Sequence, residues 1–168
     1  MAITDSEQDP HLVLTKRADH LSSHPGEVAF PGGKRDHDDP TIVYTALRES
    51  HEEVDLRPDT VEVVGPMPMS VSKMGLKVVP IVGIIPQQTK LVPSEHEIAS
   101  IFQVPLRYFL DHPVDDYTER EFQGVHYRVP CYRYEGYVIW GLTAYFITDC
   151  FNRLFDAGLE MNYPRPFS

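Results

Sequence analysis

Read from the amino terminus, the chain alternates between short runs of β-forming residues and two stretches whose apolar positions recur at helical spacing. Residues 11–17 (HLVLTKR) are rich in β-formers, and 27–30 (EVAF) form a second apolar segment stopped by Pro31, Gly32 and Gly33. Both are expected as strands. Further strands are expected at 60–65, at 76–85 and at 126–141, the last as a hairpin turning near Glu135-Gly136. Val43, Ala46, Leu47, Ser50 and Val54 fall at i, i+3, i+4, i+7 and i+11, so 40–54 is expected as a helix with that stripe buried. Asp39 suits its N-cap and Pro40 its first position. Residues 142–155 repeat the helical spacing and read as a closing helix.

Strands and helices mix without a regular βαβ alternation, which favours an α+β or mixed-sheet sandwich over a doubly wound sheet. A chain of 168 residues without an internal repeat or linker is expected to form one domain, 1–168, alone or as a homodimer. Composition then narrows the partners. Its 15 basic against 25 acidic residues give a formal charge of -10, which would repel nucleic acid and anionic membrane. A small anionic substrate would need local compensation by a metal or a few placed cations. Cys131 and Cys150 lack metal-ligand spacing and read as buried free thiols in a reducing cytoplasm. No basic region followed by an apolar run opens the chain, and VVPIVGII is too short to span a bilayer, so a cytoplasmic location is expected. MAITD looks like the end of a first strand whose beginning is missing, so the expectation is either a shortened sheet edge or a true start that lies upstream.

The chemistry concentrates in 26–56. On a helix Glu49, Glu52 and Glu53 share one face, placed roughly opposite the apolar stripe. Like charges at that spacing cost about 0.2–0.5 kcal/mol per pair, so the cluster is either solvated or neutralised. A hard cation such as Mg²⁺ or Mn²⁺ would neutralise it, since such ions take oxygen ligands and leave positions for phosphate. Phe30-Pro31-Gly32-Gly33 stands just upstream, and glycines let backbone approach a ligand closely. Arg48 can reach back toward Asp36, Asp38 and Asp39 and brace that loop.

GGKRDHDDPTIVYTALRESHEEVDL resembles the Nudix box: Gly, five residues, Glu, seven residues, then Arg-Glu-apolar-x-Glu-Glu-x-Gly-apolar. Arg48, Glu49, Glu52, Glu53 and Leu56 match. The interval from Gly33 to Arg48 is one residue longer than the pattern, Asp39 stands for its first Glu, Asp55 for its late Gly, and Ser50 for an apolar residue. LTKRADHLSSHPGEVAFPGG, 14–33, is similar to the signature of the coenzyme A pyrophosphatase branch, with Ser22 where that signature has Arg.

The resemblance implies a Nudix-like α/β/α sandwich with a mixed β-sheet. It also implies Mg²⁺- or Mn²⁺-dependent cleavage of coenzyme A or acyl-CoA to 3′,5′-ADP and a 4′-phosphopantetheine. By resemblance Gly33, Glu49, Glu52 and Glu53 are metal ligands, Arg48, Glu53 and Glu97 catalytic groups, and Arg17, His24, Gly32 and Lys34 substrate contacts. Glu95 is a second acid in the same stretch as Glu97, and Lys16 a further cation for the 3′-phosphate. Another nucleoside diphosphate derivative, such as ADP-ribose or a dinucleotide, is the alternative substrate, and an inactive Nudix binding module the alternative class.

Overall fold

The β-formers of the first seventeen residues pair with one another and then with partners far along the chain. The structure, a computed structural model, describes residues 1–72, 74–111, 114, 116–122 and 125–159. Strands β1 (Ala2–Asp5), β2 (His11–Arg17) and β3 (Val28–Ala29) precede helix α1 (Ile42–Val54). Then come β4 (Glu62–Pro66), β5 (Ser70–Val71), β6 (Lys77–Val78), β7 (Ile81–Pro86) and β8 (Ile98–Pro105). Helix α2 (Leu106–Asp111), β9 (Asp116–Phe122), β10 (Val125–Tyr134), β11 (Tyr137–Ile139) and α3 (Gly141–Phe155) complete the described elements. The one-domain expectation also covers 160–168, which lie outside the described residues.

The chain divides into two compact units, Met1–Met67 with Val79–Leu106, and Pro68–Val78 with the chain from Arg107 onward. In the first, six strands form a mixed sheet in the order β3-β2-β1-β7-β4, and β8 also pairs with β2. β2 is the spine: β8 runs antiparallel along its whole length, leaving the other edge to β1 and β3. The expected sheet edge at 1–5 is instead interior, because β1 pairs antiparallel with β2 and parallel with β7. Burial follows from that position: Leu12, Val13 and Leu14 are all fully buried. Val13, Ala2 and Ile85 pack with Val54 and Leu56 from the end of α1, so the helix is docked by its last turn.

In the second unit β10 pairs antiparallel with β9 and β11. Glu135 and Gly136 both have positive φ (47° and 85°), the conformation a tight two-residue hairpin turn needs, as the sequence suggested. α3 buries Ala144 through Phe151, and the Tyr132 hydroxyl bonds Thr148 Oγ1 at 2.7 Å between β10 and α3. Cys131 and Cys150 are both buried and form no disulfide among the described residues. Among the described residues no helix is long and apolar enough to cross a membrane.

Two elements depart from the sequence reading. β8 is a full strand not expected from the sequence, because its apolar residues Ile98, Ala99, Ile101, Phe102 and Val104 do not alternate, although its burial does, with Ile98 and Val104 buried and Ala99 and Gln103 exposed. β9, DYTEREF, is too charged to be read as a strand and is specified by its partner β10. Because β2 is the spine, Leu14→Ala should lower unfolding free energy by about 2–5 kcal/mol in urea titration. Val64→Ala on the exposed β4 should stay within about 0.5 kcal/mol of the parent.

Candidate active site

Helix α1 begins later than expected. Thr41 is the N-cap, its Oγ1 accepting from the Tyr44 backbone N–H, and Pro40 lies outside the helix. Asp39 is unavailable as a cap because its carboxylate is already taken. Arg48 Nε donates to its Oδ1 (3.0 Å) and Nη2 to its Oδ2 (2.9 Å), a bidentate pair, while Thr45 Oγ1 and the Asp36 N–H also donate to Oδ2. The shorter Asp therefore reaches Arg48 from a loop that carries one extra residue. Asp36 approaches Arg48 at 3.6 Å, whereas Asp38 points into solvent beside His37. These donors hold Asp39 well below the usual carboxylate range, the Arg48 hydrogen bonds being the largest cause and burial opposing them.

Arg48 does more than hold the loop. Nη2 also meets the Lys34 carbonyl and Glu49 Oε1 (3.1 Å each), and Nη1 donates to Glu52. At the other end Asp55 takes the left-handed C-cap (φ 54°), the place for which the Nudix box has Gly, and Leu56 N–H bonds back to the Ser50 carbonyl. Ser50, where an apolar residue was expected, is buried and its hydroxyl bonds the Pro31 carbonyl at 3.4 Å. That bond ties the glycine loop to the helix.

The three glutamates differ sharply in environment. With about 100° of rotation per residue, Glu52 lies opposite the apolar stripe, Glu49 nearer and Glu53 at the stripe's border. Their side chains are 58%, 18% and 6% exposed in that order. The sequence reading placed all three opposite the stripe. Glu53 is instead buried beside Ser50 and Val54, while Ala46 and Leu47 line a shallow apolar cleft with Pro31, Leu56, Val61 and Ile81.

Glu53 Oε2 accepts from the Gly32 N–H at 3.0 Å, and Oε1 lies 3.9 Å from Arg17 Nη1. Gly32 has φ 146°, a conformation that favours glycine. A Cβ at Gly33 would stand 2.2 Å from Glu49 Oε2, so that carboxylate lies against the bare Gly33 backbone. Burial pushes the Glu53 carboxyl up to about 7, with the Gly32 hydrogen bond opposing it and Glu97 adding to it. Burial also raises Glu49, against Arg48, and Glu97 again adds. Glu97 is thus electrostatically part of the cluster although exposed. The Ser94 N–H bonds the Glu53 carbonyl and the Ala18 N–H bonds the Glu97 carbonyl, which fixes this acid loop to both α1 and β2.

The remaining expected contacts are less central. His24 has φ 54° and its Nδ1 bonds Glu27 Oε2 at 2.7 Å within its own loop. Lys34 is exposed and bonds Arg48 through its carbonyl, and Lys16 pairs with Asp19. What the sequence did not reveal is the link from His20 Nε2 to the His96 carbonyl, which joins the loop after β2 to the acid loop. Its only sequence trace is proximity to Arg17 and Glu97.

Among the described residues no three His, Cys, Asp or Glu side chains form a ready metal cage, since Arg48, Arg17 and the Gly32 N–H engage the glutamate oxygens. The donor set nevertheless fits a hard divalent cation. Its ligands are oxygens, and burial drives two of them toward protonation, a cost that a cation would relieve.

A mixed sheet that presents a glycine loop against a carboxylate-bearing helix is the architecture of the Nudix fold. Solved structures share it: a MutT/nudix family protein from Enterococcus faecalis has a TM-score of 0.57 at 15% identity over 92% of this chain and 60% of that one. The Ap4A hydrolase of C. elegans has 0.53 at 15% identity, over 63% and 76%. The NUDIX domain model matches residues 1–130, and the chain belongs to the Nudix family. A protein named uncharacterized Nudix hydrolase NudL, from Enterobacter sp. (strain 638), is 43% identical over 146 residues, 84% of this chain and 74% of that protein. Its namesake from Yersinia pestis (strain Pestoides F) is 43% identical over 140 residues, 81% and 68%. The protein is accordingly a Nudix hydrolase of a pyrophosphate-containing substrate, and Nudix hydrolases use divalent metal ions.

Asp39 has a lowered pKa, so the stability it confers is complete above about pH 4 and is lost as pH falls further. Asp39→Asn should therefore be less stable than the parent at neutral pH in urea titration, with the difference narrowing below about pH 4. Glu53 has the opposite sign. Its raised pKa means that ionisation costs stability between about pH 4.5 and 7. In metal-free buffer near pH 8, Glu53→Gln should gain about 1 kcal/mol or more.

Proposed function

We propose that the protein hydrolyses the pyrophosphate bond of coenzyme A or acyl-CoA with Mg²⁺ or Mn²⁺ at Gly33, Glu49, Glu52 and Glu53. The observation that carries the reading is the stitching of the coenzyme A-like segment 14–33 into the carboxylate cluster. Arg17 faces Glu53, Ala18 bonds the Glu97 carbonyl, and Gly32 bonds Glu53. The bound ion would neutralise phosphoryl charge and lower the pKa of the attacking water. Glu97 takes that water's proton as its oxygen bonds to phosphorus, and the bridging oxygen departs with the other phosphate. Products are 3′,5′-ADP and (acyl) 4′-phosphopantetheine. Arg48 orients Glu49 and Glu52, while Arg17, His24, Gly32 and Lys34 meet substrate.

The whole chain, 1–168, is read as one functional domain in the cytoplasm, monomeric or homodimeric, acting on a small CoA-like molecule. Ser22 supports a second reading, a different nucleoside diphosphate substrate, because it is exposed in the loop where the coenzyme A signature carries Arg.

Incubation with Mn²⁺ and a panel of CoA, dephospho-CoA, ADP-ribose, NADH and dinucleotides, with products identified by mass, tests both. Cleavage of CoA to 3′,5′-ADP is expected, and turnover of ADP-ribose or a dinucleotide alone would transfer the assignment to the second reading. Glu53→Gln should cut turnover at least about tenfold, equal to about 1.4 kcal/mol of barrier. Ser22→Arg should raise the ratio of kcat/KM for CoA over dephospho-CoA by about tenfold. An unchanged ratio would remove position 22 from recognition of the 3′-phosphate.

A further inference from the structure

Arg17 ends β2 at a point where its register with β8 shifts. Its side chain is 26% exposed, with Nη1 3.9 Å from Glu53 Oε1, and its Nε is buried without a hydrogen-bond partner among the described residues. A buried N–H left unpaired is uncommon and demands an acceptor. The two groups on Glu53 are unequal. Gly32 donates from fixed backbone at 3.0 Å, whereas Arg17 approaches through a long side chain beyond hydrogen-bond distance. Arg48 cannot play the same part, because Asp39 holds its guanidinium by two bonds of 3.0 and 2.9 Å.

We infer that Arg17 is an exchangeable counter-ion, which neutralises Glu53 before the divalent ion arrives and then turns its guanidinium to a phosphoryl oxygen of the substrate. The inference rests on the reading of Glu49, Glu52 and Glu53 as ligands of that ion. Its logic is electrostatic: a guanidinium beside Glu53 and a divalent cation on Glu53 repel one another, so loading one displaces the other. Nε and the Nη groups form a planar fork that matches a phosphoryl group better than a single carboxylate oxygen at 3.9 Å. Metal and substrate are thereby coupled through one side chain, with metal binding releasing the arginine that captures the anion.

The test needs no turnover. Mn²⁺ alone is titrated into the full chain by electron paramagnetic resonance, in alkaline buffer where all carboxylates are ionised. Inorganic pyrophosphate is then titrated by calorimetry at saturating Mn²⁺. Arg17→Gln should bind Mn²⁺ about threefold more tightly and pyrophosphate about tenfold more weakly. The opposed signs matter, since a merely structural loss would weaken both. Arg17→Lys, which keeps the charge and loses the fork, should bind Mn²⁺ like the parent and pyrophosphate more weakly. The inference is overturned by Mn²⁺ affinity in Arg17→Gln that is unchanged or reduced, or by unchanged pyrophosphate affinity in either variant. Should circular dichroism show Arg17→Gln unfolded, the Arg17→Lys pair of titrations decides alone. A parent protein that binds no Mn²⁺ overturns the ion-site reading itself, an outcome distinct from a parent that binds while the variants fail to diverge.

Discussion

The pairing of Arg48 with Asp39 is the constraint on which the site depends. One guanidinium fixes the loop through Asp39 and the Lys34 carbonyl, and through Glu49 and Glu52 it fixes two of the three clustered carboxylates. The second end of the helix is fixed separately by Val54 and Leu56 in the sheet core. A helix anchored at its last turn and braced at its middle cannot rotate, and rotation is what would move Glu53 out of its buried seat. The geometry therefore tolerates a longer loop and a shorter acid than the Nudix box prescribes, provided the bidentate contact is kept.

Much of this was legible in the residues themselves. β2 was readable because its seven residues are rich in β-formers, and the hairpin at Glu135-Gly136 because a glycine there separates two strand-like runs. The carboxylate cluster was readable from i, i+3 and i+4 spacing. The start of α1 was not, because Asp39 satisfies the rules for a cap and only the structure shows that, of Asp36, Asp38 and Asp39, it is the one Arg48 takes by two bonds. The unequal burial of the glutamates was hidden for a related reason. Spacing gives their angular order, but the sheet core decides which angle meets protein and which meets water. Metal identity, substrate and the proton acceptor lie outside what spacing alone can carry.

The acidic cluster also explains an apparent extravagance. A buried glutamate pushed toward neutrality, beside a second raised glutamate and the charge of Glu97, is a poor arrangement for stability alone. Strained or costly groups of this kind gather where they serve binding or chemistry, and surrounding structure holds them. Here that structure is short-range: the Ser50 hydroxyl on Pro31, the Gly32 N–H on Glu53, and the Ser94 N–H on the Glu53 carbonyl. Three bonds within one small region hold together the glycine loop, the helix and the acid loop.

The placement of β1 bears on how the chain is made. Its antiparallel neighbour β2 follows within a few residues, but its parallel neighbour β7 is about eighty residues away, at Ala2 against Gly83. At ribosomal speeds of about 5–20 residues per second, that partner follows roughly 4–16 s later. During that interval the sheet's future centre is an open edge, with bare backbone donors and acceptors that another nascent chain could pair. The same topology that gives the finished enzyme a rigid middle leaves β1 with one side open until β7 is made, so its yield in a cell depends on what shields that edge while translation continues.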